Sequence, residues 1–208
     1  MKGAAMLPIV LASASPRRIG LLRQIGLDPR VIPADIDEHI QWDDPVQAVQ
    51  GLACRKARDV GERSAKDTPG QDMWILGADT VVVYKGQILG KPVDKKDAVR
   101  MLDALQGDTH SVYTGVCMIE KKGKHSREII FAEETKVSIY EMEMWEIEGY
   151  VDTLEPMDKA GAYAIQGIFA KYIRGICGDY NNVVGLPVSR IYQEVLKNAM
   201  DRKTVEDG

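Results

Sequence analysis

The chain has 208 residues, enough for one medium domain or one domain of two lobes, and its 45% hydrophobic content is ordinary for a protein that fills a core. Lys plus Arg total 27 against 31 Asp plus Glu, and the resulting formal charge of −4 argues against broad electrostatic capture of nucleic acid. No apolar run reaches the roughly 20 residues that span a bilayer, and His39, His110 and His125 lack zinc-ligand spacing.

Cys54, Cys117 and Cys177 lie far apart and form no C-x-x-C pair, which predicts reduced, buried thiols in a cytoplasmic protein. Lys2 ahead of the apolar stretch from Met6 to Ala12 has the outline of a secretory signal. The stretch is short and contains Pro8, so a buried first strand is the expectation. With no repeat or linker in view, one domain over 1–208 is expected, its core at about 7–200 and a polar tail at 201–208.

Ile9-Val10-Leu11-Ala12 has the length of a buried strand. A helix should start at Ser15-Pro16, with Leu21, Leu22 and Ile25 inward and Gly26 ending it. Asp44-Pro45 opens a second helix, expected to reach about Glu62. Met73 to Tyr84 is strand-like and turns at Lys85-Gly86 into Gln87-Ile88-Leu89. A short helix carries Val99, Leu102 and Leu105 on one face. Strands follow at Val112 to Ile119 and Ile129 to Tyr140, joined by the polar turn Lys121 to Lys124. Ile147, Tyr150, Val151 and Leu154 stand at helical spacing, Gly161 to Gly185 is expected to hold short strands, and Val188, Ile191, Tyr192, Val195 and Leu196 stripe a last helix. The alternation of strands and helices in the first half makes the class α/β.

Several polar residues sit where physics makes them costly or purposeful. Ser13-Ala14-Ser15-Pro16-Arg17-Arg18 places two arginines on a helix N-terminus, the wrong charge for the dipole but a good setting for phosphate. The other reading is two solvated arginines capped by acids. Lys56 falls on the apolar stripe of Val49, Ala53 and Val60, so it must meet a carboxylate, meet a phosphate or snorkel outward. Asp79 and Thr80 interrupt the apolar run Trp74 to Val83, and a carboxylate buried there needs a partner or a metal.

Glu38 could offer oxygen to Mg²⁺ or belong to a solvated acidic loop, and Lys91 follows the hairpin before Pro92. Gln166, between apolar residues and Gly167, has a donor and an acceptor side by side, complementary to the N3–H and carbonyl of uracil or thymine. A core glutamine bonded to backbone is the alternative.

Ser13-x-Ser15-Pro16-Arg17-Arg18, Ala53-x-x-Lys56-Ala57, Gly77-Ala78-Asp79-Thr80-Val81-Val82, Gly90-Lys91-Pro92, Thr114-Gly115-Val116, Asp158 to Gly167 and Val184-Gly185-Leu186-Pro187 together resemble the Maf family of nucleotide pyrophosphatases, from Ile9 to about Leu196. The resemblance implies a mixed, elongated sheet with flanking helices and two lobes around a cleft, similar to inosine-triphosphate pyrophosphatases. It also implies a divalent metal, Mg²⁺ or Mn²⁺, and a homodimer. Asp79-Thr80 with Ile165-Gln166-Gly167 is similar to the branch that takes dTTP and UTP; the branch acting on 7-methyl-GTP carries Glu in place of Gln.

The roles that follow are Asp79 as the catalytic residue, whether general base, metal ligand or both, Glu38 as metal ligand, and Arg17, Thr80 and Gln166 as specificity residues. Ser13, Arg17, Arg18, Lys56 and Lys91 are the implied phosphate ligands. The family is also associated with inhibition of septum formation, so the alternatives are a 7-methyl-GTP pyrophosphatase and a regulator acting by binding. The expected partner is a nucleoside triphosphate, not nucleic acid or membrane.

Overall fold

The computed structural model of the chain describes residues 7–39 and 42–198, so the polar tail from Asp201 lies outside the described residues. A seven-stranded mixed sheet runs through it. In chain order the strands are β1 (Ile9–Leu11), β2 (Arg30–Val31), β3 (Met73–Tyr84), β4 (Gln87–Leu89), β5 (Thr109–Lys122), β6 (His125–Ile139) and β7 (Ile173–Cys177). The sheet order is β2-β1-β3-β5-β6-β7, with β4 pairing β3. β1 is parallel to β2 and β3, and the other pairings are antiparallel.

One consequence of register places the site. β1 pairs with Trp74 to Leu76, and β4 pairs with Val82 to Tyr84. Since β5 holds the other edge of β3, the edge from Gly77 to Val81 is flanked by neither short strand, and the sheet has a notch there.

The helices are α1 (Pro16–Gln24), α2 (Pro45–Asp67), α3 (Lys95–Leu105), α4 (Met144–Asp152), α5 (Tyr180–Val184) and α6 (Val188–Arg190), the last continuing as a π-helical turn over Ile191–Leu196. Asp44 caps α2 by accepting from the Val46 N–H at 3.2 Å. α2 outruns the expected end at Glu62 because the apolar stripe stops at Val60 while helix-forming residues continue to Pro69. β5 and β6 likewise outrun their apolar stretches, since polar pairs such as Glu120 with Arg127 extend the ladder to the Gly123 turn.

The two faces of the sheet bury different cores. Val10, Ala12, Met73, Ile75, Cys117 and Ile119 pack against Ala53, Cys54, Ala57 and Val60 of α2. The larger core on the opposite face gathers Leu11, Leu76, Val116 and Phe131 with α1, α3, α4 and the C-terminal segments.

Three expectations change here. Leu154 is exposed, because α4 ends at Asp152 and Leu154 takes a left-handed φ of 63°. The glycine-rich segment has one strand, β7, and otherwise 3-10 turns and α5; its residues lack the period-two alternation of strands. Cys177 is exposed at the end of edge strand β7, whereas Cys54 and Cys117 are buried as expected.

Candidate active site

Alternation along β3 sends Met73, Ile75, Gly77 and Asp79 toward α2, and helical phase sends Lys56 toward the sheet. The two meet because the helix comes down very close. A Cβ on Gly77 would overlap the carbonyl oxygen of Ala53, and one on Gly115, the β5 partner of Asp79, would overlap the Val49 carbonyl. These two glycines form a floor on which α2 rests. Lys56 Nζ then donates to Asp79 Oδ1 at 2.7 Å and stands 2.8 Å from Glu38 Oε1. The Lys56 and Asp79 side chains retain only 7% and 13% exposure, so the pairing answers the cost of burying either charge alone.

Glu38 reaches this pair from the loop after β2. Burial works against its carboxylate, but the Lys56 hydrogen bond and charge, with Lys91 and Arg18 beyond, hold its pKa below the ordinary value. The loop is fastened to α2: Arg63 donates to the Pro33 carbonyl at 2.7 Å, and the Asp35 N–H donates to Asp59 at 2.9 Å.

On the other side of the notch, α1 begins at Pro16 directly after β1. Its Arg18 donates to the Gly185 carbonyl at 2.9 Å, to Ser13 Oγ at 3.2 Å and to Thr80 Oγ1 at 3.1 Å. Thr80 Oγ1 lies 2.9 Å from Thr114 Oγ1, which donates to the Asn182 carbonyl. Burial lowers the Arg18 pKa, partly offset by Asp79 and Glu38, although a guanidinium stays charged throughout the biological range. Ser13 and Thr80 therefore hold Arg18 in place, a role that their sequence positions did not disclose.

The resulting cleft encloses about 620 Å³, within the usual range for a small-ligand site. Arg17, Arg18, Lys56, Lys91 and Lys159 line it against Glu38, Asp79 and Asp158, a local positive surplus in a chain of negative net charge. That arrangement suits a polyanion.

Lys91 is exposed, 3.9 Å from Glu38 Oε2. Burial pushes the Asp158 carboxyl up, but the bonded Lys159, with a smaller contribution from the half-buried Arg17, holds it below its usual range. Gln166 lines the same cleft, exposed and without a hydrogen bond among the described residues, so it is not a core glutamine tied to backbone. Every residue singled out from the sequence lies in this cleft.

Sequence reasoning missed Asp158 and Lys159 as a charged pair at the rim, and Tyr163, whose hydroxyl stands 2.7 Å from His110 Nε2 beneath it. All three stand in the Asp158 to Gly167 motif, but the motif gave them no role: Asp158 and Lys159 are sequence neighbours whose place at the rim, like the reach of Tyr163 to His110, depends on the fold.

A divalent metal can be tested against the donors present. Lys56 takes one oxygen each of Asp79 and Glu38, leaving Asp79 Oδ2 without a protein hydrogen bond among the described residues and Glu38 Oε2 with only the distant Lys91. One or two carboxylates are what Mg²⁺ commonly takes from a protein, so the donor set fits. Among the described residues no group of three or more His, Cys, Asp or Glu side chains could hold a metal, so these side chains offer at most part of a coordination sphere. No helix among the described residues is long and apolar enough to cross a membrane.

A family model described as Maf-like protein matches residues 8–198. A dTTP/UTP pyrophosphatase of Agathobacter rectalis is 51% identical over 205 residues, covering 94% of this chain and 100% of its own. Proteins of the same name from Koribacter versatilis and Bacillus anthracis are 47% and 42% identical, covering 89% and 94% of this chain and 91% and 98% of theirs. A solved nucleoside-triphosphatase / dITP/XTP pyrophosphatase from Mycobacterium abscessus aligns over 94% of this chain and 97% of its own. Its 13% identity and TM-score of 0.37 are too low to carry an argument.

Proposed function

The chain belongs to the Maf family, and from that premise we infer that it is a nucleoside triphosphate pyrophosphatase that hydrolyses dTTP and UTP to the monophosphate and pyrophosphate. The observation that carries the reading is the buried Lys56 ammonium held between Asp79 and Glu38 in a cleft with surplus positive charge. Such a site can accept a triphosphate and place a carboxylate beside it.

In this reading Arg17 and Lys91, at the cleft walls, receive phosphate oxygens, while Arg18 and Lys56 add fixed positive charge behind them. Asp79 orients a water through Oδ2 and takes its proton as the water oxygen bonds to the α-phosphorus. The bond from that phosphorus to the bridging oxygen breaks, and pyrophosphate leaves with the electron pair. A Mg²⁺ or Mn²⁺ ion would be held by Glu38 and the substrate, with Asp79 Oδ2 as a ligand only if another group takes the water's proton, and would supply charge neutralisation at the phosphates. The free amide of Gln166 reads the base, donating to a carbonyl and accepting from N3–H, which uracil and thymine share and cytosine lacks. The same reading takes the enzyme as cytoplasmic, dimeric and active on free nucleotides.

The test is a screen of dTTP, UTP, CTP, GTP and 7-methyl-GTP with Mg²⁺ or Mn²⁺, following pyrophosphate and orthophosphate separately. Pyrophosphate from dTTP and UTP, with CTP poor, is the expected result. A preference for 7-methyl-GTP, or orthophosphate as first product, would overturn it.

A further inference from the structure

Gln166 lies in an irregular loop between Tyr163 and Phe169, outside any strand or long helix. An exposed amide on such a loop discriminates between bases only if its backbone is held still. Two side chains from a distant segment do this. Tyr150, on α4, donates its hydroxyl to Glu155 Oε1 at 2.9 Å and accepts from the Ala164 N–H at 3.3 Å. Glu155 Oε2 accepts from the Ile168 N–H at 3.1 Å. One connected Tyr–Glu pair thus fixes the backbone two residues before and two residues after Gln166.

Two backbone features are bent to the same purpose. Leu154, immediately before Glu155, takes φ 63° without being glycine, a conformation that costs free energy and turns the chain so that Glu155 can reach the loop. Gly167 has the Glu155 carboxylate where a Cβ would stand, so the loop is shaped to admit that carboxylate. The Tyr150 hydroxyl has a pKa raised by burial and then by Glu155, so it remains a donor. Tyr150 and Tyr163 both pack on Phe169, with ring centroids 5.0 Å apart in each case.

We propose that Tyr150 and Glu155 are positioning residues for base selection: they clamp the loop from Ala164 to Ile168 and thereby set where the Gln166 amide meets the pyrimidine edge. The proposal rests on the pyrophosphatase reading and on Gln166 as base reader. It assigns no contact between either residue and the nucleotide.

The experiment measures kcat and KM for UTP and CTP on the parent chain and on Glu155→Ala, Tyr150→Phe, Gly167→Ala and Gln166→Ala, with thermal melting of each. Glu155→Ala should lower the UTP-over-CTP ratio of kcat/KM about tenfold, the scale of a lost charge-assisted hydrogen bond. KM for UTP should rise more than kcat falls. Gly167→Ala should do the same with the carboxylate chemically intact, and Glu155→Gln, which keeps an acceptor for Tyr150, should recover part of the loss.

If Gln166→Ala lowers the ratio while Glu155→Ala, Tyr150→Phe and Gly167→Ala only lower the melting temperature, the clamp is structural and the proposal is overturned with the base reading intact. An unchanged ratio in Gln166→Ala overturns both. Should Glu155→Ala not fold, Tyr150→Phe and Gly167→Ala decide by the same criterion.

Discussion

The floor beneath α2 and the loop around Gln166 are built differently, and the proposed function gives them different work. The floor is regular structure brought into close contact: two glycines let a helix rest on two strands, and a buried lysine meets a buried aspartate. The loop is irregular, its amide exposed, and its position comes from hydrogen bonds sent by Tyr150 and Glu155. Charge placement for phosphate chemistry tolerates little movement in a dry site, so packing supplies it. On the proposed reading, recognition of a base edge needs an accessible amide, which packing cannot supply, so tethers hold it.

The sharpest way to break this contrast is to remove the cation from the floor. Lys56→Met strands Asp79 in a nearly buried position, and should cost about 3 kcal/mol of stability, the usual scale for breaking a buried pair. Adding Asp79→Asn should recover most of it, as urea denaturation of the single and double variants would show. A single variant as stable as the parent would mean that Asp79 is well solvated and the floor is not a dry site.

The next largest effect is on turnover. Asp79→Asn keeps the shape but removes the basicity, and kcat for UTP should fall roughly a hundredfold or more. Near-normal turnover would give the proton-accepting role to another group.

Base choice sharpens the contrast from the loop side. Gln166→Glu removes the amide donor and adds a negative charge, so the preference for dTTP and UTP should fall by about tenfold and shift toward guanine nucleotides. Steady-state kinetics on the five nucleotides would check this, and an unchanged ranking would remove Gln166 as base reader.

A smaller effect comes from acid. Burial pushes the pKa of His110 down to about 4, against a weaker upward pull from Asp108, while its Nε2 bonds to Tyr163 beside the loop. The folded value lies below the unfolded one, so the stability it contributes is complete above about pH 6.5 and lost as pH falls toward 4. Near pH 5.5 the loss from this group should be about 1 kcal/mol. His110→Gln should flatten that slope in melting curves between about pH 7 and pH 5; an unaltered slope would place the acid sensitivity elsewhere.

The floor was largely legible in the sequence. Helix phase marked Lys56, an interrupted apolar run marked Asp79, and a Ser-Pro helix start marked Arg17 and Arg18, because periodicity reports which face a residue occupies. Periodicity says nothing about partners. That Glu38 would share Lys56 with Asp79, or that Arg18 would bond to Gly185, depends on chain crossings that no local pattern encodes. Gln166 was marked by its place between apolar residues and Gly167, which left a core glutamine open, and its tethers were not legible at all. Glu155 sits in a polar stretch, and the helix expected to include Leu154 stops before it, which is the very turn that frees Glu155 to reach the loop.

The most direct test of this division of labour is the base ranking of the residual activity of Asp79→Asn, set beside that of Gln166→Ala. The account predicts that Asp79→Asn loses kcat while keeping the parent's UTP-over-CTP ratio. Gln166→Ala should lose about tenfold in that ratio, with a far smaller fall in kcat. If Asp79→Asn scrambles the base ranking as much as Gln166→Ala does, chemistry and recognition are not separated between floor and loop, and the account is wrong.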